Sequence, residues 1–227
     1  SSGAAWYRQV QPAIKLEQHG LAQVCIFRVG VDPPDLLPKA IDSSDVLVFS
    51  RSISPRLADQ LHDIKKAGIK VVYAMSDDWF HVDPYSTHYQ YLGLDEFATH
   101  TPEGVIFKMW QDGQVCPNGE KFDIAANRQQ LECYKVLWKE ADLITVTTPY
   151  LAEIYGQFAP TAVLPDCVDL QMWRNVHTRY LQENYRRLGW RGGPSHLLDI
   201  MTCRHVVWRL LNKWQNLKLV LSGHWFK

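Results

Sequence analysis

Helical and strand patterns alternate along this 227-residue chain, which predicts an α/β fold built on a parallel sheet. Three observations carry that prediction. Runs rich in β-branched and aromatic residues recur near 22–27, 45–49, 70–75, 143–147 and 161–164. Between them, residues 8–19, 55–67, 125–140 and 148–157 carry apolar positions at helical spacing. Glycines punctuate the joins. Gly20 follows the first helix as a C-cap, and Gly68 closes the helix at 55–67 before Ile69–Tyr73 resumes as strand.

Composition bounds the function. The length suits one large domain, or one and a fraction. Lys plus Arg and Asp plus Glu balance at 24 each, so no electrostatic footprint for nucleic acid or an anionic membrane stands out. Nine Trp and ten Tyr favour a thick core over sugar-stacking surfaces, because most large aromatics simply bury area. No apolar run reaches transmembrane length, and no signal peptide is visible. The five cysteines (Cys25, Cys116, Cys133, Cys167, Cys203) are odd in number and lack Cys-x-x-Cys spacing. That favours reduced thiols in a cytoplasm over disulfides or a zinc site.

Toward the C-terminus, Tyr185–Trp190 reads as a short strand, and Gly192 and Gly193 permit a tight turn and close backbone approach to a ligand. Pro194 suits the first position of a helix. Leu197, Met201, Trp208 and Leu211 then recur at helical spacing as a core stripe, joined by Leu219 and Leu221 from the strand at Leu217–Leu221. The N-terminus of such a helix offers unpaired N–H groups and partial positive charge, which suits a nucleotide diphosphate. Ser195 lies in the same turn. His196 either bonds phosphate or caps its own helix.

Residues 95–123 hold Val105–Trp110, an Asp112-Gly113 turn and Val115, the pattern of a hairpin; Pro117–Glu120 is a second turn. This insertion either shapes an acceptor site or forms a surface flap. Asp77 and Asp78 follow a predicted central strand, and open α/β sheets bind ligands at the carboxyl ends of their strands. A carboxylate there accepts hydrogen bonds from vicinal hydroxyls or takes a proton from an attacking one; the alternative is a helix N-cap pair. A metal-binding reading is weaker because adjacent Asp residues diverge, although His81 and Asp83 lie close by. Arg51 ends a strand and Arg8 sits in the first turn of the N-terminal helix, so either could clamp a phosphate or carboxylate. An ion pair to Asp77 or Asp78 is the alternative. His19, His62 and His177 read as solvated. Ser50 and Ser54 lack His and Asp at interpretable spacing, which argues against a hydrolase triad.

Taken in order, these motifs resemble retaining glycosyltransferases of the GT-B fold. Gly189-Trp-Arg-Gly-Gly-Pro-Ser-His-Leu-Leu-Asp199 is similar to the opening of their donor domain, closest to the bacterial and phage branch with Gly-Trp-x-Gly-Ser/Gly-x-x-His. Gly3–Ala13 resembles the N-terminal glycine turn and first helix, and Asp45–Arg51 a core strand. Lys70–Trp79 resembles the strand ending in paired aspartates, Ala141–Thr148 the strand after a long helix, and Val163–Asp169 the Leu-Pro-Asn-Gly-Val-Asp approach to the hinge. Asp166 stands where the family usually has Asn, and the latter part of the donor domain is not in the chain.

The resemblance implies a Rossmann-like acceptor-side domain at 1–165, a linker at 166–184, and at 185–227 the first βαβ unit of a second, incomplete Rossmann-like domain. It implies transfer of a sugar from a nucleotide-sugar to a glycan, protein or small-molecule hydroxyl, with retention and without an obligatory metal or other cofactor. Gly192, Gly193, Ser195 and His196 would hold the donor diphosphate. Gly3, Tyr7, Arg8 and Arg51 would line the acceptor cleft, with Asp77 and Asp78 catalytic. The chain then reads as a fragment or a truncation, expected to be inactive alone and to self-associate through its unfinished core stripe. The rival reading is a non-catalytic Rossmann-like module that binds a glycan, nucleotide or protein. No G-x-G-x-x-G with a downstream acid supports a dehydrogenase.

Overall fold

Four strands pair side by side, all parallel, in the order β1-β2-β5-β6. In chain order the elements are a π-helical turn at Trp6–Val10, α1 (Gln11–Gln18), α2 (Leu36–Asp42), β1 (Val46–Ser50), α3 (Pro55–Lys66), β2 (Lys70–Met75), α4 (Tyr89–Leu92), β3 (Phe97–His100), β4 (Ile106–Met109), α5 (Ile124–Glu140), β5 (Leu143–Val146), α6 (Pro149–Tyr155), β6 (Thr161–Val163), α7 (Leu170–Arg174), β7 (Arg186–Gly192), α8 (Leu197–Lys213) and β8 (Leu217–Gly223). The computed structural model describes residues 5–28, 31–33, 35–50, 55–82, 89–95, 97–100, 106–109, 123–174, 185–192 and 197–223. The chain divides into two compact units. One holds Ser1–Asp78 with Leu131–Val176, the other Trp79–Gln130 with His177–Lys227.

In the first unit, register aligns Phe49, Tyr73, Ile144 and Thr161 across the sheet. A monotonic strand order with right-handed crossovers carries the connecting helices to one face. The burial agrees: Val71, Tyr73, Met75, Ile144 and Val146 are covered on one side. Leu61 and Ile64 of α3, Leu137 and Trp138 of α5, and Leu151 and Tyr155 of α6 supply the rest of this core. The Trp138 ring meets Tyr155 edge-on at 5.0 Å and Phe158 at 5.3 Å, so the aromatic richness serves packing here. The arrangement is consistent with a Rossmann-like core. On the opposite face Val46 and Val48 remain half exposed.

The helix ends follow from glycine. At Gly20 (φ +66°) and Gly68 (φ +86°) the backbone is left-handed and a Cβ would meet nothing within 4 Å, so conformation rather than space demands glycine. Leu21 N donates to Leu16 O at 2.9 Å and Ile69 N to Ile64 O at 3.3 Å, closing both helices in the Schellman manner. Thr148 starts α6, its hydroxyl accepting from Leu151 N at 3.3 Å with Pro149 at the first helical position.

Three expectations need correction. The strand expected at 22–27 does not form; the run has strand propensity but pairs with no strand among the described residues, and Val24 N turns instead to the Glu17 carboxylate at 3.4 Å. The helix expected at 8–19 opens with the π-helical turn before becoming α-helical at Gln11. Within α8 the expected core residues Met201 and Trp208 are exposed, while Ile200, Val207, Leu210 and Leu211 are the less exposed positions.

In the second unit, β7 and β8 are parallel and joined by α8, with Gly192 opposite Gly223, as the strand–helix–strand order predicts. β3 and β4 form an antiparallel pair matching Ala98 to Lys108. The expected hairpin partner beyond Trp110, both of its turns, and Pro194 lie outside the described residues. Asp123 caps α5, its Oδ1 accepting from Ala125 N and Ala126 N at 2.9 and 3.1 Å. Among the described residues no helix is long and apolar enough to cross a membrane, and Cys25, Cys133, Cys167 and Cys203 are thiols.

Candidate functional site

Parallel strands aim their carbonyl ends at one rim, and in the first unit two side-chain groups gather there. The first surrounds Arg8. Its side chain is only 4% exposed, and a buried guanidinium must find oxygens to offset lost hydration. Nη2 donates to Thr145 O at 3.3 Å, and Nη1 donates to Leu164 O at 3.3 Å and Asp166 Oδ1 at 3.1 Å. The π-helical turn is thereby tied to the carboxyl ends of β5 and β6, and irregular helical turns of this kind are common at functional sites. For Arg8 the alternative of an ion pair with Asp77 or Asp78 gives way to one with Asp166; for Arg51 it lies outside the described residues.

Beside Arg8 lies a cleft of about 350 Å³, walled by Tyr7, Gln11, Pro12 and Lys15 on one side and by 164–169 on the other. Lys15 Nζ pairs with Asp169 at 2.9 Å across it. Arg8 Nε and Gln11 Oε1 are buried and make no hydrogen bond. A second, more open hollow continues past Lys15 to Gln18, His19 and Leu170. Of the residues expected to line an acceptor cleft, Tyr7 and Arg8 are brought together here; Gly3 and Arg51 lie outside the described residues.

The second group stands at the end of β2. Asp77 and Asp78 do not open a helix, because residues 79–82 are bends and irregular chain, so the capping alternative fails. Instead α6 holds them. Tyr155 OH donates to the Asp77 carbonyl at 2.7 Å, and Tyr150 OH donates to Asp78 Oδ2 at 2.8 Å. That bond to the Asp78 carboxylate raises the Tyr150 phenol above its usual 10.0. Tyr150 is 56% exposed at the rim. The strand carrying Asp77 and the strand whose carbonyl binds Arg8 are neighbours, with Ala74 opposite Thr145.

Comparison with protein families, curated proteins and solved structures finds no match to this chain. Function therefore has to be argued from the site.

In the second unit Gly192 ends β7 and α8 begins at Leu197. Gly193, Ser195 and His196, between them in sequence, lie outside the described residues. Sequence reasoning missed Asp166, Gln11, Lys15, Tyr150 and Tyr155. The Thr148-Pro149 start signal, which sets Tyr150 one residue into α6, pointed to the tyrosine. Nothing local could have paired Arg8 with a residue 158 positions away.

Proposed function

We propose that the chain is the acceptor side and the opening of the donor side of a GT-B-like glycosyltransferase, transferring a sugar from a nucleotide-sugar to an acceptor hydroxyl. One observation supports it most. A second parallel β–α–β unit, separate from the four-stranded sheet, carries Gly192 at the carboxyl end of its first strand, and its helix begins at Leu197. Glycine at a strand end ahead of a helix N-terminus suits a diphosphate. The rim residues of the first unit supply what an acceptor needs: carboxylates at Asp77 and Asp78 for hydroxyls, and a cleft at Tyr7 and Arg8.

In this reading the acceptor oxygen bonds to the anomeric carbon as the bond from that carbon to the diphosphate breaks. The hydroxyl proton leaves to a carboxylate or to the departing phosphate. Donor binding rests on Gly192, Gly193, Ser195 and His196, and retention follows from the family resemblance. The test is incubation of the full-length protein with a panel of nucleotide-sugars, read by release of nucleoside diphosphate. Release that depends on an acceptor supports the proposal; binding of nucleotide or glycan without release favours the non-catalytic module.

A further inference from the structure

We infer that the Arg8 cleft binds an uncharged, hydroxylated molecule of mono- or disaccharide size, and that Asp166 sets this preference against anions. The inference rests on the glycosyltransferase reading only in naming that molecule an acceptor. An arginine at a sheet rim invites assignment as a phosphate clamp, yet the geometry points the other way. Arg8 is closed onto Asp166 at 3.1 Å and Lys15 onto Asp169 at 2.9 Å. Two cations and two anions leave the lining with no net charge. An incoming phosphate would have to displace Asp166 from Arg8 while that carboxylate stayed a few ångströms away, and like charges at such range repel.

What remains suits hydroxyls. Two side-chain atoms of lining residues, the donor Arg8 Nε and the acceptor Gln11 Oε1, are buried without a hydrogen bond. A ligand hydroxyl that reached them would answer both, whereas an ionised phosphate oxygen only accepts. Buried polar atoms without partners are uncommon in folded proteins and call for an explanation such as a bound molecule. The rest of the wall (Tyr7, Pro12, Leu164, Pro165, Val168) offers apolar surface to the C–H face of a sugar ring. The volume of about 350 Å³ lies within the usual range for small-molecule pockets.

The test uses the full chain with maltose, lactose and sucrose as neutral probes and inorganic phosphate as the anionic one, followed by ligand-observed NMR. The native chain should bind at least one disaccharide and show no phosphate binding that depends on Arg8. Asp166→Asn removes the neutralising charge at nearly constant shape, and should raise phosphate affinity tenfold or more. Val168→Trp fills the cleft and should abolish disaccharide binding while the melting curve stays cooperative. Phosphate binding by the native chain that Arg8→Gln removes would overturn the inference. So would failure of all three sugars, or sugar binding that survives Val168→Trp. Nucleoside diphosphate release is scored separately, on the full-length protein. Sugar binding lost in Val168→Trp without any release retains the cleft and rejects the transferase; release with no binding in the cleft does the reverse.

Discussion

Arg8 and Asp142 illustrate how single charges are held in this sheet. Arg8 was readable as a rim residue from its place behind the glycine turn, but its use was not, because Asp166 enters only once β6 is in place. Asp142 stands just before β5; its Oδ2 accepts from Val71 N at 2.9 Å and its Oδ1 from Lys70 Nζ at 3.3 Å. The Val71 N–H holds the carboxyl below its usual 3.8. A lowered folded pKa means that the stabilisation is complete above that usual value and is lost as pH falls through the folded one. Asp142→Ala should therefore cost about 1–2 kcal/mol at neutral pH, and thermal melts should show the gap to the native chain narrowing in acid. At the opposite strand end, Asp77→Asn and Asp78→Asn should each lower turnover about tenfold or more, in line with acid–base contributions, with melting temperature little changed. Loss of stability with activity per folded molecule intact would make them structural.

Among the elements, α6 joins the core to the rim. Leu151 and Tyr155 are buried, while Tyr150 and Tyr155 reach Asp78 and the Asp77 backbone. Thr148→Ala should cost about 1 kcal/mol in chemical denaturation, the usual worth of an N-cap, and by loosening Tyr150 it should also weaken acceptor affinity. The strands β1, β2, β5, β6, β7 and β8 and helices α3, α5, α6 and α8 were legible because each has both period and punctuation. Residues 22–27 misled because a strand-like run states a propensity, whereas a strand also requires a partner. The face of α8 could not be chosen from spacing, since apolar residues occupy two stripes, one through Met201 and Trp208 and one through Ile200 and Val207, with Leu211 between them.

For the whole molecule, parallel sheets are ordinarily covered on both faces, and this chain leaves apolar surface uncovered. Val46 and Val48 stand out on the first unit, and Met201, Val206, Trp208, Trp214 and Val220 on the second; Trp208 is 68% exposed. Surfaces of this kind attract association. Light scattering should show concentration-dependent self-association, and Met201→Lys with Trp208→Lys should reduce it. A monodisperse monomer at high concentration would refute this.

The strand order also has a kinetic consequence. β5 and β6 are joined through residues 147–160, but β2 meets β5 only after residues 76–142 have been looped out. Closing the longer loop costs roughly 1 kcal/mol more in chain entropy. Non-local pairing of this sort slows folding. The β5–α6–β6 segment should therefore organise early, and the meeting of Tyr73 with Ile144 should set the pace at which the sheet becomes whole.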